Sequence, residues 1–456
     1  MATKVPIVAI VGRANVGKSS LFNAILKKRE AIVANEPGTT RDSIYAKATA
    51  WIEQPTRAQY DFWLVDTAGI KDPEDDFEFT IQEQIAQASD SADVIFVVIE
   101  AFAQISQEDR NVAKLALKTK KPVCLLVNKA DKAPGVNILD FQKLGIKQIF
   151  LTSATQNSGI NHVLNDLTKI IKQSTIKQDP NRINLALLGR PNVGKSYLFN
   201  SLAKKQQAIV ADRAGTTRDI NRVTIRYNTK EIELMDTAGI RRSGKIEKGI
   251  EKFSVIRSLS AIEQADVCLL LMDANELNTQ LDQKIAGMIK ESGKGLILVV
   301  SKWDSLDKDA YTRDELAPQI KHHFAFVPWA PLILTSAKTG QNVTKIFDLV
   351  LDIQTTRQKT YKTTDLNRWL RQITDSHPPA GLKNRMPKLR YIVHEEGNPN
   401  PSFKVFGGDT RFLHWSYKRY MERKFRESFD VSGTPIKFWY IDKNAPTPSQ
   451  NQKTTN

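Results

Sequence analysis

Cysteine is nearly absent: 2 residues in 456, at no metal-ligand spacing. That excludes a disulfide-stapled fold and a cysteine-built zinc site. Cys124 and Cys268 each sit in a short apolar run, residues 123–127 and 267–272, which predicts reduced thiols packed in a core. No apolar stretch approaches the ~20 residues of a transmembrane helix. Met1-Ala2-Thr3-Lys4 leads directly into a strand-like run, so no secretory signal is expected, and the expected location is cytoplasmic. A lipidation motif and an amphipathic anchor are also missing, which argues against a membrane-associated signalling protein. Acidic residues are in the minority, 50 against 66 Lys and Arg, for a net charge of +16. That excess points to a polyanionic partner. Hydrophobic content of 41% and charged content of 25% are ordinary for a globular protein, and the length suits roughly two to four domains.

What is present is present twice. Gly12-Arg13-Ala14-Asn15-Val16-Gly17-Lys18-Ser19 returns 177 positions later as Gly189-Arg190-Pro191-Asn192-Val193-Gly194-Lys195-Ser196. Gly38-Thr39-Thr40-Arg41-Asp42 returns as Gly215-Thr216-Thr217-Arg218-Asp219 at the same offset. Asp66-Thr67-Ala68-Gly69-Ile70 is answered by Asp236-Thr237-Ala238-Gly239-Ile240. Asn128-Lys129-Ala130-Asp131 is answered by Ser301-Lys302-Trp303-Asp304, and Ser153-Ala154 by Ser336-Ala337. Order is kept while loop lengths drift, which is the mark of a duplicated whole domain. In each copy short continuous apolar runs alternate with amphipathic stretches. The runs fall at 5–11, 60–65, 93–99, 122–127 and 147–151, then at 183–188, 231–235, 265–272, 295–300 and 331–335. This is the pattern of an α/β fold with a mostly parallel, doubly wound sheet. The expected domains are 1–172, a polar linker 173–181, 182–356, a third domain 357–442 and a disordered tail 443–456.

The motifs carry the chemistry of a nucleoside triphosphate. A GxxxxGK[ST] loop between strand and helix cradles phosphates with backbone N–H groups and the helix N-terminus. Lys18 and Lys195 would bridge the β- and γ-phosphates, and Ser19 and Ser196 would ligate Mg²⁺. Asp66 and Asp236, each at a strand end, would hold that ion through water. The backbone N–H groups of Gly69 and Gly239 would sense the γ-phosphate. Thr40 and Thr217 fit a switch threonine that completes the Mg²⁺ shell. Asp131 and Asp304 can each accept two hydrogen bonds from guanine N1–H and its 2-amino group, a pair adenine does not offer. Ser153-Ala154 and Ser336-Ala337 would turn a backbone N–H toward guanine O6. Together the motifs select GTP over ATP. Glu100 is matched by Asp273 at a strand end, an exchange expected to be neutral.

The last hundred residues hold 19 basic and 9 acidic side chains, a net of +10. The pattern predicts a helix (365–373), strands (389–394, 402–406), a helix (409–429) and a strand (436–441). The second helix carries an apolar stripe of Leu413, Tyr417, Tyr420, Met421 and Phe425. Its Lys418, Arg419, Arg423, Lys424 and Arg426 suit phosphate contacts. No GxxG loop, the kind that clamps an RNA backbone, lies between helices here.

Two such motif sets followed by a basic domain resemble the Der family, also called EngA, the double Era-like GTPases of bacteria. The resemblance runs from Val5 to about Ile441. Its C-terminal part rests on Leu366-Asn367-Arg368-Trp369-Leu370, His377-Pro378-Pro379, Lys388-Leu389-Arg390-Tyr391 and Gly433-Thr434-Pro435-Ile436, which look like that family's KH-like domain. Membership implies two P-loop G domains, GTP hydrolysis and a role in assembling the large ribosomal subunit, with ribosomal RNA as partner. It implies no DNA or membrane partner, and a monomer away from the ribosome is the expectation. A GTP-dependent RNA-modification protein is the competing reading, opposed by two cysteines that both look buried. Ile70 and Ile240 stand where Ras-type proteins carry a water-positioning Gln. The resemblance implies a potassium ion in its stead, with Asn15 and Asn192 as ligands. Without such help hydrolysis would run at roughly 10⁻⁴–10⁻³ s⁻¹. Ser301 departs from the family's Asn, which touches guanine and braces the P-loop; guanine preference is expected to survive through Asp304. After Ile70, residues 71–79 are acidic, whereas the stretch after Ile240 is basic, so the two switch regions would present opposite charge.

Overall fold

The computed structural model describes residues 5–27, 45–52, 58–67, 85, 88, 92–171, 182–205, 221–236, 255–306, 312–382 and 385–442. They form two compact units. The linker 173–181, the tail 443–456 and both switch stretches lie outside the described residues.

The first unit is built on β1 (Ile7–Val11), β2 (Tyr45–Ile52), β3 (Ala58–Asp66), β4 (Val94–Glu100), β5 (Val123–Asn128) and β6 (Gln148–Leu151). The sheet order is β2-β3-β1-β4-β5-β6. All pairings are parallel except β2 with β3. Strands buried on both faces read as unbroken apolar runs; β1 does so along its whole length and β5 up to its last residue, Asn128. Alternate residues Val8, Ile10, Leu64, Phe96, Val98 and Leu126 share one core cluster. That cluster also holds Leu21, Phe22 and Ile25 of α1 (Lys18–Lys27) and Val163, Leu164 and Leu167 of α3 (Ile160–Ile170). Each such side chain contributes about 1.5–3 kcal/mol by leaving water. Helix α2 (Gln107–Lys118) starts in a capping box in which Ser106 and Asp109 satisfy each other's backbone N–H. Helix α5 (Val255–Gln264) also packs in this unit, where Glu263 accepts a hydrogen bond from the buried Trp63 indole at 2.7 Å.

The second unit repeats the plan with β7 (Arg182–Gly189), β8 (Asn221–Tyr227), β9 (Lys230–Asp236), β10 (Val267–Asp273), β11 (Gly295–Ser301) and β12 (Leu332–Leu334). The order is β12-β11-β10-β7-β9-β8, again with one antiparallel edge, β8 on β9. Helices α4 (Lys195–Lys205), α6 (Gln280–Glu291), α7 (Thr312–His323) and α8 (Lys345–Gln358) accompany it. The edge strands β2 and β8 were not among the expected runs. Both alternate small or apolar residues with polar ones, Ala46-Lys47-Ala48-Thr49-Ala50 and Val223-Thr224-Ile225-Arg226, the period-two pattern of a half-buried strand.

The same unit continues into α9 (Thr363–Ser376), β13 (Lys388–His394), β14 (Ser402–Gly408), α10 (Trp415–Ser428) and β15 (Lys437–Asp442). These strands form a sheet ordered β13-β14-β15, antiparallel then parallel. Its core joins Leu366, Trp369, Phe403, Val405, Tyr417, Met421 and Phe425. The single helix expected over 409–429 is broken. Asp409 takes a left-handed φ of 55°, Thr410–Phe412 make one 3₁₀ turn, and extended His414 caps α10 by accepting from Ser416 N. Leu413 is buried all the same, which is why the apolar spacing looked continuous. This domain is pinned to the sheet beside it. Leu296 N donates to Gly433 O at 2.9 Å and Gly433 N to Trp329 O at 2.8 Å. A Cβ on Gly433 would stand 2.2 Å from Ile353 Cγ1, so only glycine fits. Buried Arg357 donates to Gly293 O and Thr434 Oγ1, both at 3.0 Å, and burial pulls its guanidinium down to about 10.

Candidate functional site

In each unit the motif segments meet where the sheet's carboxyl ends face outward, after β1, β3, β5 and β6 and after β7, β9, β11 and β12. In the first, Lys18 is buried, and its ammonium donates to Gly12 O (2.8 Å) and Arg13 O (2.6 Å), closing the loop around itself. Ser19 Oγ donates to Asp66 Oδ2 at 2.6 Å. Thr67 Oγ1 ties the strand end to Ile10 O at 2.7 Å. The second unit copies this. Lys195 donates to Gly189 O (2.9 Å) and Arg190 O (2.6 Å), and Ser196 Oγ lies 3.4 Å from Asp236 Oδ2. A hydroxyl beside a buried carboxylate is an all-oxygen pair of the kind Mg²⁺ takes, so these residues fit that ion.

The base-reading segments converge on the same loops. Asn128 Nδ2 donates to Val16 O at 3.0 Å, and its Oδ1 accepts from Ala154 N at 3.2 Å. One side chain thereby joins the phosphate loop to the Ser153-Ala154 turn. Gly17, at φ +91°, admits that amide: a Cβ there would stand 2.4 Å from Asn128 Nδ2. Lys129, itself left-handed at φ 61°, donates to Asn15 O at 2.8 Å and to Glu100. Asp131 Oδ1 is buried with no hydrogen-bond partner among the described residues, so an N–H donor such as guanine's would satisfy it. In the second unit Ser301 Oγ reaches Val193 O at 2.6 Å and Met272 O at 3.0 Å. Lys302 pairs with Asp273 at 2.6 Å, and Ser336 Oγ donates to Asp304 Oδ1 at 2.5 Å. Asn15 and Asn192 crest the two phosphate loops with positive φ, and both side chains are exposed. Thr40, Ala68, Gly69, Ile70, Thr217, Thr237, Ala238, Gly239 and Ile240 lie outside the described residues.

A clamp in each unit went unseen in the sequence. Arg13 turns away from the phosphate position and binds Asp109 (Nε, 3.2 Å) and Glu100 (Nη2, 2.6 Å). Arg190 does the same with Asp282 (3.3 Å) and Glu276 (2.8 Å). Asp109 and Asp282 both sit in the first turn of a helix, α2 or α6, three residues after the capping Ser106 or Thr279, where a Ser/Thr-x-x-Asp signal was available. Burial raises the Asp282 carboxyl, offset in part by Thr279 and Arg190. Burial would also raise Glu100, but hydrogen bonds from Lys129 and Arg13 outweigh it and hold the group below the usual range. The Glu100/Asp273 exchange is therefore not neutral. The longer side chain holds both Arg13 and Lys129, while Asp273 holds Lys302 and leaves Arg190 to Glu276. Both cysteines are buried, and burial pushes the Cys124 thiol up to about 12, which makes it unreactive.

Comparison with known proteins agrees with this architecture. A family model described as "50S ribosome-binding GTPase" matches residues 7–129 and again 184–302. One described as the C-terminal KH-domain-like region of EngA bacterial GTPase enzymes matches 361–440. Two nucleotide-binding G domains with a KH-like domain behind them define a tandem GTPase. The chain is 42% identical to the GTPase Der of Chloroflexus aggregans over 441 residues, which spans 94% of this chain and 96% of the relative. It is 40% identical to that of Caldanaerobacter subterraneus subsp. tengcongensis over 432 residues, 94% of this chain and 97% of the relative. The Alkaliphilus metalliredigens GTPase Der is 39% identical over 442 residues, 96% and 99% of the two chains. This chain belongs to the Der family of GTPases.

Proposed function

We propose that this GTPase is a nucleotide-controlled assembly factor of the large ribosomal subunit, acting in the bacterial cytoplasm with ribosomal RNA as its partner. The observation that carries the RNA part is a basic and aromatic surface on the C-terminal domain. Neither residues 377–394 nor residues 410–421 contain an acidic side chain, and Arg385, Lys388, Arg390, Arg411, Lys418 and Arg419 lie within them. The two segments are tied together by Leu382 N to Phe412 O (2.8 Å) and His414 N to Ala380 O (3.0 Å). The Arg419 guanidinium lies 4.8 Å over exposed Trp415, and Arg411 lies 4.8 Å over Phe412. Accessible rings with guanidinium groups over them suit unpaired bases, and the surrounding cations suit phosphates. The large-subunit part is supported by the description of the family that matches both G domains.

In the same reading each G domain holds GTP as its residues allow. Gly12 to Gly17 and Gly189 to Gly194 wrap the phosphates, and Lys18 and Lys195 neutralise charge between them. Ser19 with Asp66, and Ser196 with Asp236, would hold Mg²⁺, which would supply charge neutralisation to the transferring phosphoryl group. Thr40, Gly69, Thr217 and Gly239 respond to the γ-phosphate, and Asp131 and Asp304 read guanine. Asn15 and Asn192 would ligate an activating K⁺.

The test is GTP hydrolysis in potassium against sodium buffer, with and without large ribosomal subunits, alongside co-sedimentation. Stimulation by both additions, and loss of co-sedimentation in Trp415→Ala/Arg419→Ala, is the expected result. Equal, slow turnover in all four conditions with no co-sedimentation would contradict the proposal.

A further inference from the structure

We propose that the second guanine pocket of this chain holds its nucleotide more loosely than the first, and that Ser301 and Lys338 set the difference. The inference rests on Asp131 and Asp304 as the guanine readers. Three differences between the pockets point the same way.

The first lies under the phosphate loop. Asn128 bonds at both ends, to Val16 O and from Ala154 N, so one rigid amide fixes the loop against the turn expected at guanine O6. Ser301 has one hydroxyl proton, and its oxygen faces Val193 O and Met272 O. The link to Ala337 N has no counterpart in Ser301. The second concerns the space this leaves. A Cβ at Gly17 would collide with Asn128 Nδ2 at 2.4 Å, whereas one at Gly194 would meet nothing nearer than Lys302 Cε at 3.9 Å and Ser301 Oγ at 4.0 Å. The amide that fills the first pocket is replaced in the second by a smaller hydroxyl, which keeps the loop contact to Val193 O but leaves the space open and the turn unlinked.

The third lies at the carboxylates. Ser153 Oγ is turned to Thr155 Oγ1 at 3.1 Å, and Asp131 Oδ1 stays buried and unpaired among the described residues. Position 338, the counterpart of Thr155, is lysine, which has no hydroxyl to share. Ser336 Oγ donates to Asp304 Oδ1 instead. Burial of an unpaired carboxylate oxygen is a cost already present in the first pocket, and guanine N–H donors relieve it. In the second pocket guanine must displace or share the Ser336 hydroxyl, so the same contact yields less. At limiting nucleotide the first domain fills first.

The experiment uses the full-length chain and fluorescent GDP. Asp131→Asn and Asp304→Asn each turn one pocket from guanine toward xanthine. With excess xanthosine diphosphate filling the altered pocket, the remaining pocket reports alone. Each variant should bind one GDP where the unsubstituted chain binds two. Two weakened hydrogen-bond links, at roughly three- to tenfold each, predict release about 10- to 100-fold faster from Asp131→Asn than from Asp304→Asn. Ser301→Asn/Lys338→Thr on the Asp131→Asn chain should slow release about tenfold or more, and Asn128→Ser on the Asp304→Asn chain should speed it. Equal release from the two pockets, or rates indifferent to these exchanges, would overturn the proposal. Two GDP still bound by either Asp→Asn variant would overturn the guanine assignment and the proposal with it, while leaving the ribosomal role untouched.

Discussion

The two G domains share sheet order, loop geometry and lysine contacts, yet their base pockets are finished differently. In the first, Asn128, Thr155 and Glu100 brace the loop, free the guanine-facing carboxylate and hold Arg13 and Lys129 together. In the second, Ser301, Lys338 and Asp273 do less of each. The hallmark residues of the motifs are identical or nearly so. In the proposed reading, nucleotide grip depends on the neighbours that position those residues.

The largest effect concerns turnover. Lys18→Ala and Lys195→Ala should each lower hydrolysis in their own domain by about 10²–10³-fold, as removal of one preorganised transition-state contact does. Phosphate release from the two single variants then reads each domain's share. Stability comes next. Gly17→Ala and Gly194→Ala both force a side chain into positive φ, at +91° and +93°, which costs about 1–2 kcal/mol. Only the first also drives a Cβ into Asn128, adding roughly 1–3 kcal/mol. Calorimetric unfolding should show Gly17→Ala as the more damaging, and equal costs would show that Asn128 does not fill the first pocket as described. A smaller difference is expected at the clamps. Asp282→Ala should cost about 3 kcal/mol, from a broken buried ion pair and the lost bond from Thr279 Oγ1, and Asp109→Ala about 2, from a weakened ion pair and half of a capping box. The reason is that Arg13 retains Glu100, 11% exposed, whereas Arg190 retains Glu276, 69% exposed and screened by water. Urea unfolding of the two variants measures the order.

Much of this was legible in the chain. Motif words such as Gly-x-x-x-x-Gly-Lys-Ser are contiguous, and continuous apolar runs announce buried parallel strands. The edge strands escaped because alanines alternating with lysine and threonine in Tyr45–Ile52 leave little hydrophobic signal. The break before α10 escaped because Leu413 keeps the helical spacing from a non-helical turn. The arginine clamps join residues 96 and 92 positions apart, a pairing no local pattern reveals. Ser301 stood out at once, but its meaning needed Thr155 and Lys338, one residue beyond the Ser-Ala motif. Their side chains matter only because they decide which way a neighbouring serine hydroxyl turns.

The most direct measurement on the central asymmetry is release of fluorescent GDP from the unsubstituted, fully loaded chain, chased with excess unlabelled GDP. Two phases of equal amplitude are predicted, separated by about tenfold or more in rate, with only the fast one slowed by Ser301→Asn. A single phase carrying the whole amplitude would contradict the account.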